Sequence, residues 1–184
     1  MNSLHLKRAV QICEAGGVIA YPTEAVFGLG CLPLNQQSVE RILQLKQRSV
    51  SKGLIIVAAT KEQLEPYVEF AALKNIEPVF DSWPGPVTWI IPAKSTVPTW
   101  LTGDHETLAV RVSSHSTINA LCSELGPIVS TSANPSSATP AKTNQQVRSY
   151  FGSKVDYVIP ANITNEMNPT EIRDGISGNI VRPS

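Results

Sequence analysis

Lys46, Arg48 and Lys52 put three cations within seven positions, directly ahead of the apolar run 54–59 (LIIVAA). Two readings suit them. A cation in the last turn of a helix complements the carbonyl end of the helix dipole, worth about 0.3–1 kcal/mol. Clustered cations also make an anion site, where arginine offers a planar fork to phosphate and lysine a compact point charge. Arg111 sits inside the alternating segment 107–113. There Leu108, Val110 and Val112 share one side, and Thr107, Ala109, Arg111 and Ser113 the other. An arginine among such small neighbours is either half of a salt bridge with an acid elsewhere or a receptor for a carboxylate. The run 130–134 (STSAN) leaves a predicted strand with four hydrogen-bonding side chains. It is either a polar turn or a ligand contact at a strand end, where open α/β sheets bind. Residues 21–24 (YPTE) follow a predicted strand in the same way. Hydroxyls, amides and cations of this kind bind phosphates and carboxylates, and their catalysis is positioning and charge neutralisation.

Other catalytic signatures are missing. The chain has no G-x-x-x-x-G-K-[ST] loop, no G-x-G-x-x-G and no G-x-S-x-G elbow. Gly28-Leu29-Gly30 by itself reads as a tight turn. The three histidines stand far apart, so no metal site of the protein's own is expected. Cys13, Cys31 and Cys122 are widely spaced and lie among apolar neighbours, which predicts buried free thiols in a reducing compartment.

The elements that must carry these residues alternate. Helices are predicted at 4–15, closed by Gly16-Gly17, and at 38–47, 61–69, 70–81 and 115–125. Strands are predicted at 18–21, 54–59, 87–91, 107–113, 128–132, 155–159 and 179–182. Thr143 with Gln146 forms a capping box that starts a further helix. The class is therefore α/β, a single twisted mixed sheet with flanking helices. The Pro- and Ser-rich segment 133–142 is either a linker or, with so little chain after it, a mobile loop at the site.

Composition narrows the function. With 42% hydrophobic and 16% charged residues the 184-residue chain builds a core. A formal net charge of zero argues against a broad electrostatic grip on nucleic acid. No run approaches the roughly 20 apolar residues that span a bilayer, and the first residues carry no cleavage signature. The expectation is a cytoplasmic protein, one domain over 1–184, with no membrane partner.

Six motifs occur in order: PTEAVFGLG (22–30), LKQR…K (45–52), SWPGPVTWI (82–90), LAVRV (108–112), STSAN (130–134) and NPTEIRD (168–174). Over nearly the whole chain they resemble the YrdC-like threonylcarbamoyl-AMP synthases, in the short, single-domain bacterial form called TsaC. The resemblance implies a twisted α/β sheet with a concave basic cavity. It implies that L-threonine, bicarbonate and ATP become L-threonylcarbamoyl-adenylate and pyrophosphate. A downstream transferase complex would pass the threonylcarbamoyl group to the tRNA adenosine next to the anticodon, and tRNA itself is a possible partner. Mg²⁺ is expected with the ATP, and no tightly bound organic cofactor. Residue by residue, Lys46, Arg48 and Lys52 resemble triphosphate-binding cations, and Lys46 and Arg48 stabilise charge without any side-chain nucleophile. Ser132, Asn134 and Arg182 resemble nucleotide contacts. Thr23, Arg111, Ser130 and Thr170 resemble a threonine pocket, with Arg111 on the carboxylate. Many members have serine at the place of Thr170, and glycine where Ser136-Ser137 stand. Two other readings compete: a non-catalytic double-stranded RNA- or tRNA-binding or ribosome-maturation factor, and a hydrolase or transferase acting on acyl phosphates or carbamoyl phosphate.

Overall fold

The computed structural model describes residues 2–161, 163 and 170–183. Asn168 and Pro169 of the last motif lie outside the described residues. Strands β1 (Ile19–Pro22), β2 (Phe27–Gly30), β3 (Ile55–Ala58), β4 (Val87–Pro92), β5 (Thr107–Val112), β6 (Ile128–Ser132), β7 (Tyr157–Val158), β8 (Glu171–Asp174) and β9 (Ile180–Arg182) form one sheet. Its order is β7-β1-β2-β6-β3-β5-β4-β8-β9. Three neighbouring pairs run parallel (β1–β7, β3–β5, β4–β8) and the rest antiparallel, so the sheet is mixed as expected.

Alternation along the strands divides the core between the two faces of the sheet. Helices α1 (Ser3–Glu14) and α5 (Ser116–Leu125) cover one face, where Ala9, Cys13, Ile118 and Leu121 pack on Ile19, Tyr21, Val57 and Ile128. The larger cluster on the other face joins Ala20, Leu29, Ile56 and Val110 to Val39 and Ile42 of α2 (Gln36–Lys46) and to Val147 and Phe151 of α6 (Asn144–Phe151). The capping box of α6 is present with both of its hydrogen bonds. All three cysteines are buried and free. No helix among the described residues is long and apolar enough to cross a membrane.

Three expectations need correction. The helices predicted at 61–69 and 70–81 reduce to 3₁₀ turns at Glu62–Leu64 and Phe70–Ala72 and the short helix α3 (Glu77–Asp81). Pro66 and Pro78 cannot sit in a helix interior, and tertiary pairing claims the backbone between them. Val68 bridges to Ala93, and Glu69 N donates to Pro92 O at 2.8 Å. Second, Gly28 and Gly30 lie in strand β2 rather than in a turn, because they pair with Tyr21 and Ile19 of β1. Third, the strand predicted at 155–159 shortens to the two residues of β7. Strand β8 and the one-turn helix α4 (Thr99–Thr102) have no counterpart among the predicted elements.

Candidate functional site

Helices α1 and α5 cover only part of their sheet face. The uncovered remainder, around the middle of β3, β4, β5 and β6, is the floor of a cavity of about 630 Å³. All ten residues singled out from the sequence line it: Thr23, Lys46, Arg48, Lys52, Arg111, Ser130, Ser132, Asn134, Thr170 and Arg182. Among its described lining residues are five lysine or arginine side chains and one carboxylate, that of Glu24. In a chain of zero net charge this concentrates positive potential in one hollow.

The cation end is built by the close of α2. Gln47 adopts the left-handed conformation (φ 50°), which lets Gln47 N and Arg48 N satisfy the carbonyls of Gln44 and Leu43 at 3.0 Å each. That turn separates the directions of the two cations. Lys46 does not lie over its own helix end. Its Nζ reaches across to the end of β6 and donates to Ser132 O (2.5 Å) and Asn134 O (3.0 Å), with Asn134 Oδ1 and Ser132 Oγ at 3.3 and 3.4 Å. Burial, and secondarily the Arg48 charge, lowers the Lys46 pKa to about 8. Arg48 Nη2 donates to the carbonyls of Gly53 (3.0 Å) and Lys52 (3.3 Å), holding the turn Val50–Lys52. Its Nε is buried without a partner, and burial lowers its pKa. Lys52 is exposed at the rim.

The loop 133–142 borders this end. Ser136 N donates to Lys46 O and Ser136 Oγ to Gln47 O, while Asn134 Nδ2 donates to Pro135 O and Ala138 O. Ser132 Oγ donates to Asn134 Oδ1 at 2.7 Å.

The opposite end is the Arg111 floor. The acid left unidentified by sequence is Glu24, whose Oε1 lies 3.4 Å from Arg111 Nη1. Tyr21 stands beneath, with its OH donating to Ser130 Oγ at 2.7 Å. Burial pushes the Tyr21 pKa well above its ordinary value, so the phenol keeps its proton and acts as donor. The Ser130 hydroxyl is thereby an acceptor towards Tyr21, and its own proton is left for the cavity. Thr23 Oγ1 donates to Val26 O at 2.6 Å. Thr170 O accepts from Arg182 Nη2 at 2.7 Å, which brings the β8–β9 arm alongside. Burial first, then the Arg111 charge, lowers the Arg182 pKa.

The lining residues to which sequence reasoning gave no role include Glu24, Thr88 and His105. The first two carried a signal, as an acid beside Thr23 and as a lone hydroxyl inside an apolar strand. His105 carried none. Among the described residues no cluster of three His, Cys, Asp or Glu side chains could hold a metal ion.

The family model Sua5_yciO_yrdC, described as "Telomere recombination", matches residues 11–184. A threonylcarbamoyl-AMP synthase of Pseudomonas fluorescens (strain Pf0-1) is 46% identical over 184 residues, the whole of both chains. One of Escherichia coli (strain K12) is 48% identical over 177 residues, covering 95% of this chain and 93% of that one. The crystal structure of P. abyssi Sua5 complexed with L-threonine superposes with a TM-score of 0.86 at 30% identity. It covers 95% of this chain, which spans about half (52%) of that longer protein. This chain belongs to the Sua5/YciO/YrdC family.

Proposed function

We propose that the chain is a threonylcarbamoyl-AMP synthase, a nucleotidyl transferase that makes L-threonylcarbamoyl-adenylate and pyrophosphate from L-threonine, bicarbonate and ATP. The observation that carries this reading is the cavity's charge balance, five cationic side chains against the single carboxylate of Glu24, with hydroxyls at both ends. Two mutually repelling anions, a triphosphate and an amino-acid carbamate, are the ligands such a lining favours. Full-length likeness to proteins named for this reaction supports it.

In this reading the threonine amine attacks the carbon of bicarbonate, and the bicarbonate hydroxyl leaves with an amine proton as water, giving a carbamate. A carbamate oxygen attacks the α-phosphorus of ATP, and the bond to pyrophosphate breaks. Arg111, Thr23, Ser130 and Thr170 hold the amino acid, and Ser132, Asn134 and Arg182 the nucleotide. Lys46, Arg48 and Lys52 neutralise the phosphates. Lys46 meets a phosphate by giving up its long contacts to Ser132 Oγ and Asn134 Oδ1 and keeping the short one to Ser132 O. No nucleophilic side chain is needed, because orientation of two bound reactants can supply roughly 7–11 kcal/mol. The Glu24 carboxylate is engaged by Arg111 and Ser113, so among the described lining residues no free carboxylate stands ready for Mg²⁺. Bound together with ATP, the ion would add charge neutralisation beside Lys46, Arg48 and Lys52. The product then goes to a transferase acting on tRNA, in the cytoplasm.

The test is pyrophosphate release from Mg-ATP and bicarbonate across a panel of amino acids. L-Threonine should support turnover, and L-valine at least about 10²-fold less, because it leaves the polar pocket unpaired. Release that ignores the amino acid, or none with threonine, overturns the proposal.

A further inference from the structure

Thr88 interrupts the apolar strand β4 with a hydroxyl, and that hydroxyl has no partner among the described residues. Thr88 lines the cavity, the residue is 1% exposed, and its Oγ1 makes no hydrogen bond among the described residues. The fold therefore makes no use of the oxygen. A valine would fill the same β-branched shape and leave no polar atom buried.

Its neighbours indicate what would use it. Trp89 pairs with Val110 across β4 and β5. Thr88 and Arg111 are each one step beyond that pair, on the face that turns to the cavity. On the other side Thr88 pairs with Ile172 of β8, which has no side-chain polar group to offer. Arg111 Nε is likewise buried without a hydrogen bond among the described residues, and Nη1 has there only its ion pair to Glu24. Two buried donors without a hydrogen bond among the described residues, Thr88 Oγ1 and Arg111 Nε, thus lie on neighbouring strands beside the Arg111–Glu24 ion pair, both on residues at least nine-tenths buried. A group that only accepts, through two oxygens with four lone-pair sites, is a carboxylate. Rotation about the single χ1 bond of Thr88 aims its hydroxyl into the cavity.

We infer that Thr88 is a further substrate-binding residue, whose hydroxyl donates to the carboxylate of the amino acid that Arg111 receives. The inference rests on the functional reading above. Its test is Thr88→Val beside Thr88→Ser, read by threonine-dependent pyrophosphate release and by calorimetric threonine binding. Thr88→Val should raise both the threonine KM and its Kd about tenfold, the loss of one hydrogen bond to a charged group. The ATP KM should stay within about twofold. The melting temperature should hold or rise, because an orphan hydroxyl has been removed. Thr88→Ser, which keeps the donor, should bind threonine as the parent does. Unchanged threonine binding in Thr88→Val overturns the inference, as does equal weakening in both variants, which would mark the methyl as the useful group. If the parent protein shows no threonine-dependent turnover or binding, the functional reading fails and takes this inference with it. A parent that responds to threonine beside an indifferent Thr88→Val sinks this inference alone.

Discussion

Glu24 Oε1 lies 3.4 Å from Arg111 Nη1 and accepts a hydrogen bond from Ser113 Oγ at 3.1 Å. The two charges come from a loop after β1 and from the C-terminal end of β5, so the pair ties two parts of the sheet together at the cavity floor. It also leaves Arg111 Nε without a hydrogen bond. The pair therefore both compensates the buried guanidinium and orients it.

Replacing Glu24 by Gln should then cost about 1–3 kcal/mol of stability, because a buried guanidinium loses its counter-charge. Urea denaturation measures it. The threonine KM should rise in the same variant, as Arg111 is no longer held in one orientation. A variant of parental stability and kinetics would show the contact to be incidental.

Arg48→Ala removes a cation from the proposed phosphate end and the staple on Gly53 O and Lys52 O. The kcat/KM for ATP should fall at least about 10²-fold, the scale of losing one charge-stabilising group. Because the side chain is polar and the α2 cap is made by backbone, the melting temperature should fall by only a few degrees. Loss of folding instead of activity would make Arg48 structural.

The Lys46 pKa, lowered to about 8 by burial, predicts a pH dependence. Below about 8 the ammonium is charged in both folded and unfolded chains. Between about 8 and the unfolded value of 10.5 the unfolded chain binds more protons than the folded one. Lys46 therefore makes stability rise with pH through that window. Phosphate binding goes the other way, since the neutral amine attracts no anion. The ATP KM should climb above about pH 8 in the parent and climb less in Lys46→Met. A flat profile in the parent removes Lys46 from the phosphate site.

Gly30 has no room for a side chain. A Cβ there would stand 2.7 Å from Tyr21 Cε1 and 2.8 Å from Val129 O. Gly30→Ala should cost about 1–3 kcal/mol through overpacking. It should also weaken threonine binding, because displacing the Tyr21 ring breaks its hydrogen bond to Ser130. Thermal melts and threonine titration read the two effects separately.

What the amino-acid order determined by itself was local. The helix α2, the strand β6 and the Thr143–Gln146 capping box follow from side-chain period and from contacts a few residues apart, which act before any tertiary structure exists. The cation cluster and the place of Arg111 in β5 were legible for the same reason, though their joint assignment to one site came from resemblance rather than spacing. Only the tertiary structure decided which distant groups meet. Lys46 spends its ammonium on Ser132, 86 positions away, and Arg111 finds Glu24. A pair of glycines that reads as a turn becomes a strand because Tyr21 lies over it. Strand β8, half-buried along its length, forms through parallel pairing with β4. The physical reason is common to all of these. Their partners are set by the strand order of a mixed sheet, in which β6 lies between β2 and β3, and no local propensity encodes that order.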